Sequence, residues 1–170
     1  AIAEYVAKSS GQEMKTVSNN VFKVGDNVFV PLAGHVLRLK DIVEYEGYEK
    51  FRWNQLDLLP IIPSPFKKAV NFDVKDGKRD TTRHDNILKN VKFYLESADE
   101  VVNVGDPDDE GQYLVDEVLE YFNYQGPVLR LWTSGLGEDY LKKSFANIVP
   151  NDVYFSKGLA AKARAESDWL

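Results

Sequence analysis

The chain has no cysteine, which excludes a disulfide framework and any thiolate metal site and leaves the redox compartment open. No apolar run approaches membrane-spanning length, and no basic region precedes an apolar one at the N-terminus, so neither a spanning helix nor a signal peptide is read here. A cationic excess is missing too. With 21 Lys and Arg against 27 Asp and Glu, the formal net charge is −6. That argues against strong non-specific nucleic-acid binding by this chain alone, because phosphate binding needs positive charge. There is no internal repeat and no low-complexity segment. What remains is 170 residues, 44% hydrophobic, enough for one domain with a substantial core and no staple.

One stretch organises the rest: Val101-Val-Asn-Val-Gly-Asp-Pro-Asp-Asp-Glu-Gly111, a β-branched run ending in four carboxylates, followed by a helical pattern over 112–122. Asp106, Asp108 and Glu110 alternate at the end of the apolar strand, so their carboxylates can converge, and their mutual repulsion favours a cation there. Mg²⁺ suits this composition: it takes one or two protein carboxylates, keeps several waters and leaves room for phosphate oxygens. Gly111 allows close backbone approach, and ligands of open α/β sheets collect at the carboxyl ends of strands.

Two plainer readings compete. Asp106 or Asp108 can be a helix N-cap, with Pro107 near the first turn and acidic residues favoured by the helix dipole. Capping needs only one of the four carboxylates. The spacing of Asp106, Asp108, Glu110, Gly111 and Glu117 also matches an EF-hand calcium loop. Context opposes it, since a strand-like run precedes the loop and Glu117 lies inside an amphipathic helix.

Along the chain, 1–9 reads as the end of an amphipathic helix that starts without a cap, which implies a preceding segment. Segments 21–24 and 28–30 flank Gly25-Asp26-Asn27 as a hairpin. Gly34-His35 reads as a turn before strand 36–39, and a lone histidine there is usually structural. From 41 to 66 the aromatics and Pro60, Pro63 and Pro65 exclude a continuous helix or central strand, so this is an excursion packed on the main sheet, with base stacking a lesser alternative. A strand at 70–74, a turn at 75–78 and a helix at 79–97 follow. The start of that helix carries Lys78, Arg79, Arg83 and His84, with Lys89 and Lys92 further on, the one basic patch in the sequence; the plainer reading is a solvated face. The second half then alternates: strand 101–104, helix 112–122 with Leu114, Val115, Val118, Leu119 and Phe122 as its packing stripe, strand 128–132, helix 138–146 closed by Pro150, and helix 154–170. This βαβα series predicts parallel strands with right-handed crossovers and an α/β fold with a mostly parallel sheet.

Asp106-Pro-Asp-Asp-Glu-Gly111 after a strand and before a helix, then Arg130-Leu-Trp-Thr-Ser134, resembles the TOPRIM domain of type IA DNA topoisomerases, the topoisomerase III branch in particular. Gly34-His35-Val36-Leu37, Leu59-Pro-Ile-Ile-Pro63 and Ala163-Arg164 through Ser167-Asp168-Trp169-Leu170 extend the resemblance over nearly the whole chain. It implies a Rossmann-like TOPRIM fold forming a single domain over 1–170. It also implies Mg²⁺ held by Asp106, Asp108 and Glu110, with Glu110 catalytic or orienting ligand water, and it makes His35, Lys78, Arg83 and Arg164 candidate DNA contacts. The implied partners are single-stranded DNA and other domains of a longer protein, acting without a nucleotide cofactor; the implied location is cytoplasmic, at the nucleoid if the host is bacterial. A tyrosine in a later domain and a Glu-Lys-Pro-Ser segment before the first helix belong to the family pattern and lie outside this sequence. The family commonly has arginine and glutamate where Asp109 and Gln112 stand, a departure expected to affect phosphate positioning more than metal binding. The same acidic triplet serves nucleases and primases of this domain class, and a non-catalytic docking module is the remaining alternative.

Overall fold

The computed structural model describes residues 1–18 and 20–170. Helix α1 (Ile2–Ser10) ends at Gly11, whose φ of 67° only glycine adopts without strain. Strands β1 (Met14–Ser18), β2 (Val21–Val24) and β3 (Asn27–Phe29) form an antiparallel sheet. Val24 pairs with Asn27, so the β2–β3 turn is the two residues Gly25-Asp26 and not the three expected. Gly25 has φ 57°, the left-handed backbone that such a tight turn requires.

Strand β4 (Leu37–Leu39) pairs antiparallel with β5 (Lys68–Val70), so the proline- and aromatic-rich stretch between them is an excursion that leaves the sheet and returns to it. It contains two short 3₁₀ turns, Ile42–Glu44 and Leu56–Leu58. Its own small core of Ile42, Phe51 and Ile61 packs against Trp169. The strand expected over 70–74 is broken in two. Asn71 makes the last backbone bond to the β4 side, its N–H donating to the Val36 carbonyl while its side-chain amide donates to the His35 carbonyl, and β6 (Asp73–Lys75) then turns back through Asp76-Gly77 into β7 (Lys78–Asp80). Lys78 and Arg79 therefore lie on a strand. Helix α2 (Thr82–Leu95) begins three residues later than expected, its Thr82 N–H bonded to the Asp80 carboxylate.

Strand β8 (Val101–Asn103), helix α3 (Asp109–Tyr121) and strand β9 (Val128–Arg130) form the parallel crossover unit. Helix α4 (Glu138–Phe145) follows. Strand β10 (Val149–Pro150), absent from the sequence reading, then pairs antiparallel with β9 at the sheet edge, where proline costs little hydrogen bonding. A 3₁₀ turn (Asn151–Tyr154) leads into α5 (Phe155–Trp169), which packs along α3. The α/β class stands, but the expectation of a mostly parallel sheet is corrected to mixed: among the described residues β8–β9 is the one parallel pair. The reason is connectivity: the chain crosses over through α3 to lay β9 parallel to β8, whereas β1–β3 and β6–β7 return by tight turns, β4–β5 by the excursion, and β10 comes back antiparallel along β9 after α4. The main apolar cluster is Val36, Leu37, Leu88, Val91 and Val118, joining β4, α2 and α3.

The packing stripe of α3 also differs from expectation. Leu114, Val115, Leu119 and Phe122 are only partly buried, whereas Gln112, Tyr113 and Glu117 are buried with Val118. Polar groups occupy that inner face because each has a partner waiting there, as the site shows.

Candidate metal and nucleic-acid site

The acidic residues sit where β8 hands over to α3. Asp108 is the N-cap of α3, its Oδ1 accepting the Gly111 N–H at 2.6 Å, so the capping expectation holds for one oxygen of one carboxylate. Two glycines let the loop fold back tightly on the helix. A Cβ on Gly111 would lie 2.4 Å from the Asp106 carbonyl oxygen, and one on Gly105 would lie 2.0 Å from the Gly111 carbonyl oxygen. Asp106 and Asp108 are exposed. Glu110, in the first turn of the helix, points elsewhere, its Oε1 lying 2.8 Å from His35 Nε2. Among the described residues no three His, Asp or Glu side chains converge as a metal cage. The two aspartates still match the donor set of Mg²⁺, which needs one or two carboxylates and fills its remaining positions with water. The EF-hand reading fails on position: β8 precedes the loop, and Glu117 is buried in an ion pair away from it.

His35 links two carboxylates. Its Nδ1 lies 3.6 Å from Glu117 Oε1, an ion-pair distance too long for a hydrogen bond. Glu117 above all, with Glu110 adding, raises the imidazole above its ordinary pKa against the effect of burial. Glu117 in turn accepts from Lys68 Nζ at 2.7 Å, and Lys68 also bonds the Tyr113 hydroxyl. Burial presses the Lys68 ammonium down, but its bonds to Glu117 and Tyr113 outweigh this and raise it. A continuous polar chain thus runs from Glu110 through His35, Glu117 and Lys68 to Tyr113, tying α3 to β5.

The other expected contacts fare differently. Arg83 is engaged by Asp73 through bonds of 2.8 and 2.9 Å, Arg79 bonds Asp41, and His84 is buried, so the basic patch at the start of α2 is largely neutralised. Lys78 is exposed on β7. Arg164, on α5, reaches Asp109 at 3.6 Å, and Lys157 reaches it at 3.4 Å. The negative charge at Asp109 is therefore met by two cations from α5. Gln112 is fully buried, donating to Asp116 and Asn151 at 2.9 Å each. Asn151 and Asn103 complete this cluster, and the Asn103 side-chain oxygen accepts from the Gly105 N–H.

Sequence reading assigned no positioning role to Arg130, Glu117 or Lys68, although Arg130 stands in the Arg130–Ser134 segment and Glu117 among the EF-hand positions. A lone arginine ending the apolar run Val128-Leu-Arg130 was the one signal, because a charge on a strand of a central sheet demands partners.

A strand, a tight acidic turn and a helix N-terminus, with two exposed aspartates and a histidine-bound glutamate, define an α/β acidic-loop domain. A family model for the Toprim domain matches residues 7–136, and the chain belongs to that family. It is 35% identical over 153 residues to a DNA topoisomerase 3 of Haemophilus influenzae, covering 87% of this chain and 22% of that protein. It is 33% identical over 155 residues to a DNA topoisomerase 3 of Bacillus subtilis, covering 89% and 20%. A Vibrio cholerae DNA topoisomerase 3 is 32% identical over 142 residues, covering 81% and 20%. The chain spans about a fifth of the length of these relatives.

Proposed function

We propose that this chain is the Mg²⁺-binding Toprim module of a type IA DNA topoisomerase, with a Rossmann-like core, working as one domain of a longer protein that cuts, passes and rejoins single DNA strands. The observation that carries this reading is the acid loop itself: Asp106 and Asp108 are exposed at the carboxyl end of β8 while the loop backbone is locked against α3. Asp106 and the free oxygen of Asp108 would hold the ion. When bound, it would supply charge stabilisation to a phosphodiester.

The remaining steps fall to the chain's own groups and to a tyrosine supplied by another domain. The tyrosine attacks the phosphodiester, forms the bond to the 5′ phosphate and releases a 3′ hydroxyl; religation reverses this. Glu110 is the catalytic carboxylate of this chain, and His35 fixes its orientation through the Nε2–Oε1 contact. His35, Lys78 and Arg164 are the DNA contacts retained by this reading, and Arg83 is committed to Asp73. The proposed setting is the cytoplasm, at the nucleoid in a bacterial host. No helix among the described residues is long and apolar enough to cross a membrane.

The test is a single-stranded oligonucleotide labelled at its 3′ end, incubated with Mg²⁺ and the full-length protein and run on a denaturing gel. Cleavage that leaves the tyrosine on the 5′ phosphate of the labelled piece makes label migrate with protein. Changing Asp106 and Asp108 together to Ala is expected to lower this adduct by about 100-fold or more. Free labelled fragments without adduct would replace the reading with a Toprim nuclease, and intact oligonucleotide would leave a docking module. The 170-residue chain alone is expected to form no adduct, and one formed by it would overturn the assignment of the nucleophile to another domain.

A further inference from the structure

Arg130 is fully buried at the end of β9, in a position where a guanidinium is expensive to desolvate unless it is well partnered. Its partners are not carboxylates. All four of its hydrogen bonds go to backbone carbonyls: Nη1 donates to Asn103 at 3.1 Å, Gly105 at 2.8 Å and Leu131 at 3.0 Å, and Nη2 donates to Asp106 at 2.7 Å. Three of these four residues lie on the path from β8 into the acid loop. The guanidinium also rests over the Trp132 ring, 4.7 Å from its centre, and Trp132 stacks on Tyr154 at 4.2 Å with the rings nearly parallel. The fork is thus fixed in plane by aromatic packing and in direction by carbonyls on both sides of the turn.

We infer that Arg130 is a positioning residue, which grips the Gly105 and Asp106 carbonyls from inside the fold so that the Asp106 carboxylate faces a divalent cation without itself bracing the loop. The inference rests on the reading of the acid loop as a metal site. It assigns the loop's rigidity to a residue 24 positions away in sequence, on the neighbouring strand. A planar fork is needed for this, because a lysine ammonium is a point donor that cannot hold both carbonyls in one geometry.

The experiment titrates Mn²⁺, in place of Mg²⁺, into the full chain and follows free Mn²⁺ by electron paramagnetic resonance. The proteins are the unaltered chain and the Arg130→Lys, Asp106→Asn and Leu141→Ala variants, at a temperature where circular dichroism shows each folded. Leu141 is buried on α4 and outside the loop, so Leu141→Ala controls for loss of stability alone. Arg130→Lys is expected to weaken binding by at least about tenfold, the usual scale for a group that orients a ligand, while Leu141→Ala binds like the unaltered chain despite a lower melting temperature. If Arg130→Lys fails to fold, Trp132→Leu, which removes the ring under the guanidinium, decides: weaker binding supports the inference and unchanged binding overturns it. Unweakened Mn²⁺ binding by a folded Arg130→Lys protein overturns the inference and leaves the metal site standing. If the unaltered chain and Asp106→Asn bind Mn²⁺ alike, the metal-site reading falls and the inference with it.

Discussion

At residue scale the acid loop depends on two side chains that are missing. Gly105 and Gly111 face each other across the turn, and neither has room for a methyl group because the atoms in the way are backbone. Gly111→Ala is expected to destabilise the chain by about 1–3 kcal/mol through overpacking, seen as a lower urea midpoint at unchanged slope. An unchanged midpoint would show that the turn can open freely. Gly111 and the alternating carboxylates were legible in the sequence because spacing alone states their chemistry. Arg130 was not, since one arginine closing an apolar strand reads the same whether it faces solvent or grips three carbonyls of the adjoining loop. The orientation of Glu110 was also hidden. Only the fold brings His35, from the turn before β4, within hydrogen-bonding distance of it.

At the scale of elements, strong periodicity was read well and compensated polarity was not. The helices α1, α3, α4 and α5 lie close to their expected places. The inner face of α3 was misread because Gln112, Tyr113 and Glu117 look solvent-directed until Asn151 and Lys68 arrive from distant segments. The excursion was recognised from its prolines, but not the pair that anchors its start. Arg38 on β4 holds Glu44 through two bonds of 2.6 and 2.9 Å, and this, reinforced by the Asp41 N–H and opposed by burial, holds the Glu44 carboxyl down to about 2. A carboxyl depressed by folding adds stability above its unfolded pKa and loses it as pH falls towards the folded value. After allowance for solvent screening the contribution is about 1–2 kcal/mol. Glu44→Gln is therefore expected to be less stable than the unaltered chain by that amount near neutral pH, with the gap narrowing between about pH 4.5 and about pH 2. Urea midpoints at several pH values check this, and a gap independent of pH would assign the loss to packing.

At the scale of the whole molecule, filling the proposed divalent-cation site should stabilise this acidic chain. An ion that binds only the folded state adds about 2.7 kcal/mol at a hundredfold excess over its dissociation constant, about 5–10 °C in melting temperature for a chain of this size. Mg²⁺ is expected to raise the melting temperature by this order and EDTA to reverse it, with no such response in Asp106→Asn. A response retained in that variant would place the ion elsewhere. The α/β class and the crossover over α3 were legible because a helix between two strands leaves a repeating pattern. The pairing of β4 with β5 was not, because 28 residues separate the paired Leu39 and Lys68 and no local pattern reports a partner so far away.

Trp169 at the end of α5 donates its indole N–H to the Lys40 carbonyl at 2.8 Å and sits edge-on to Tyr45 and Phe66, while nearer the start of the same helix Lys157 and Arg164 hold Asp109 beside the acid loop. Helix α5 thus touches the acid loop through Asp109 and the root of the excursion through Lys40. The acid loop and the excursion, far apart along the chain, therefore share one rod as their common anchorage.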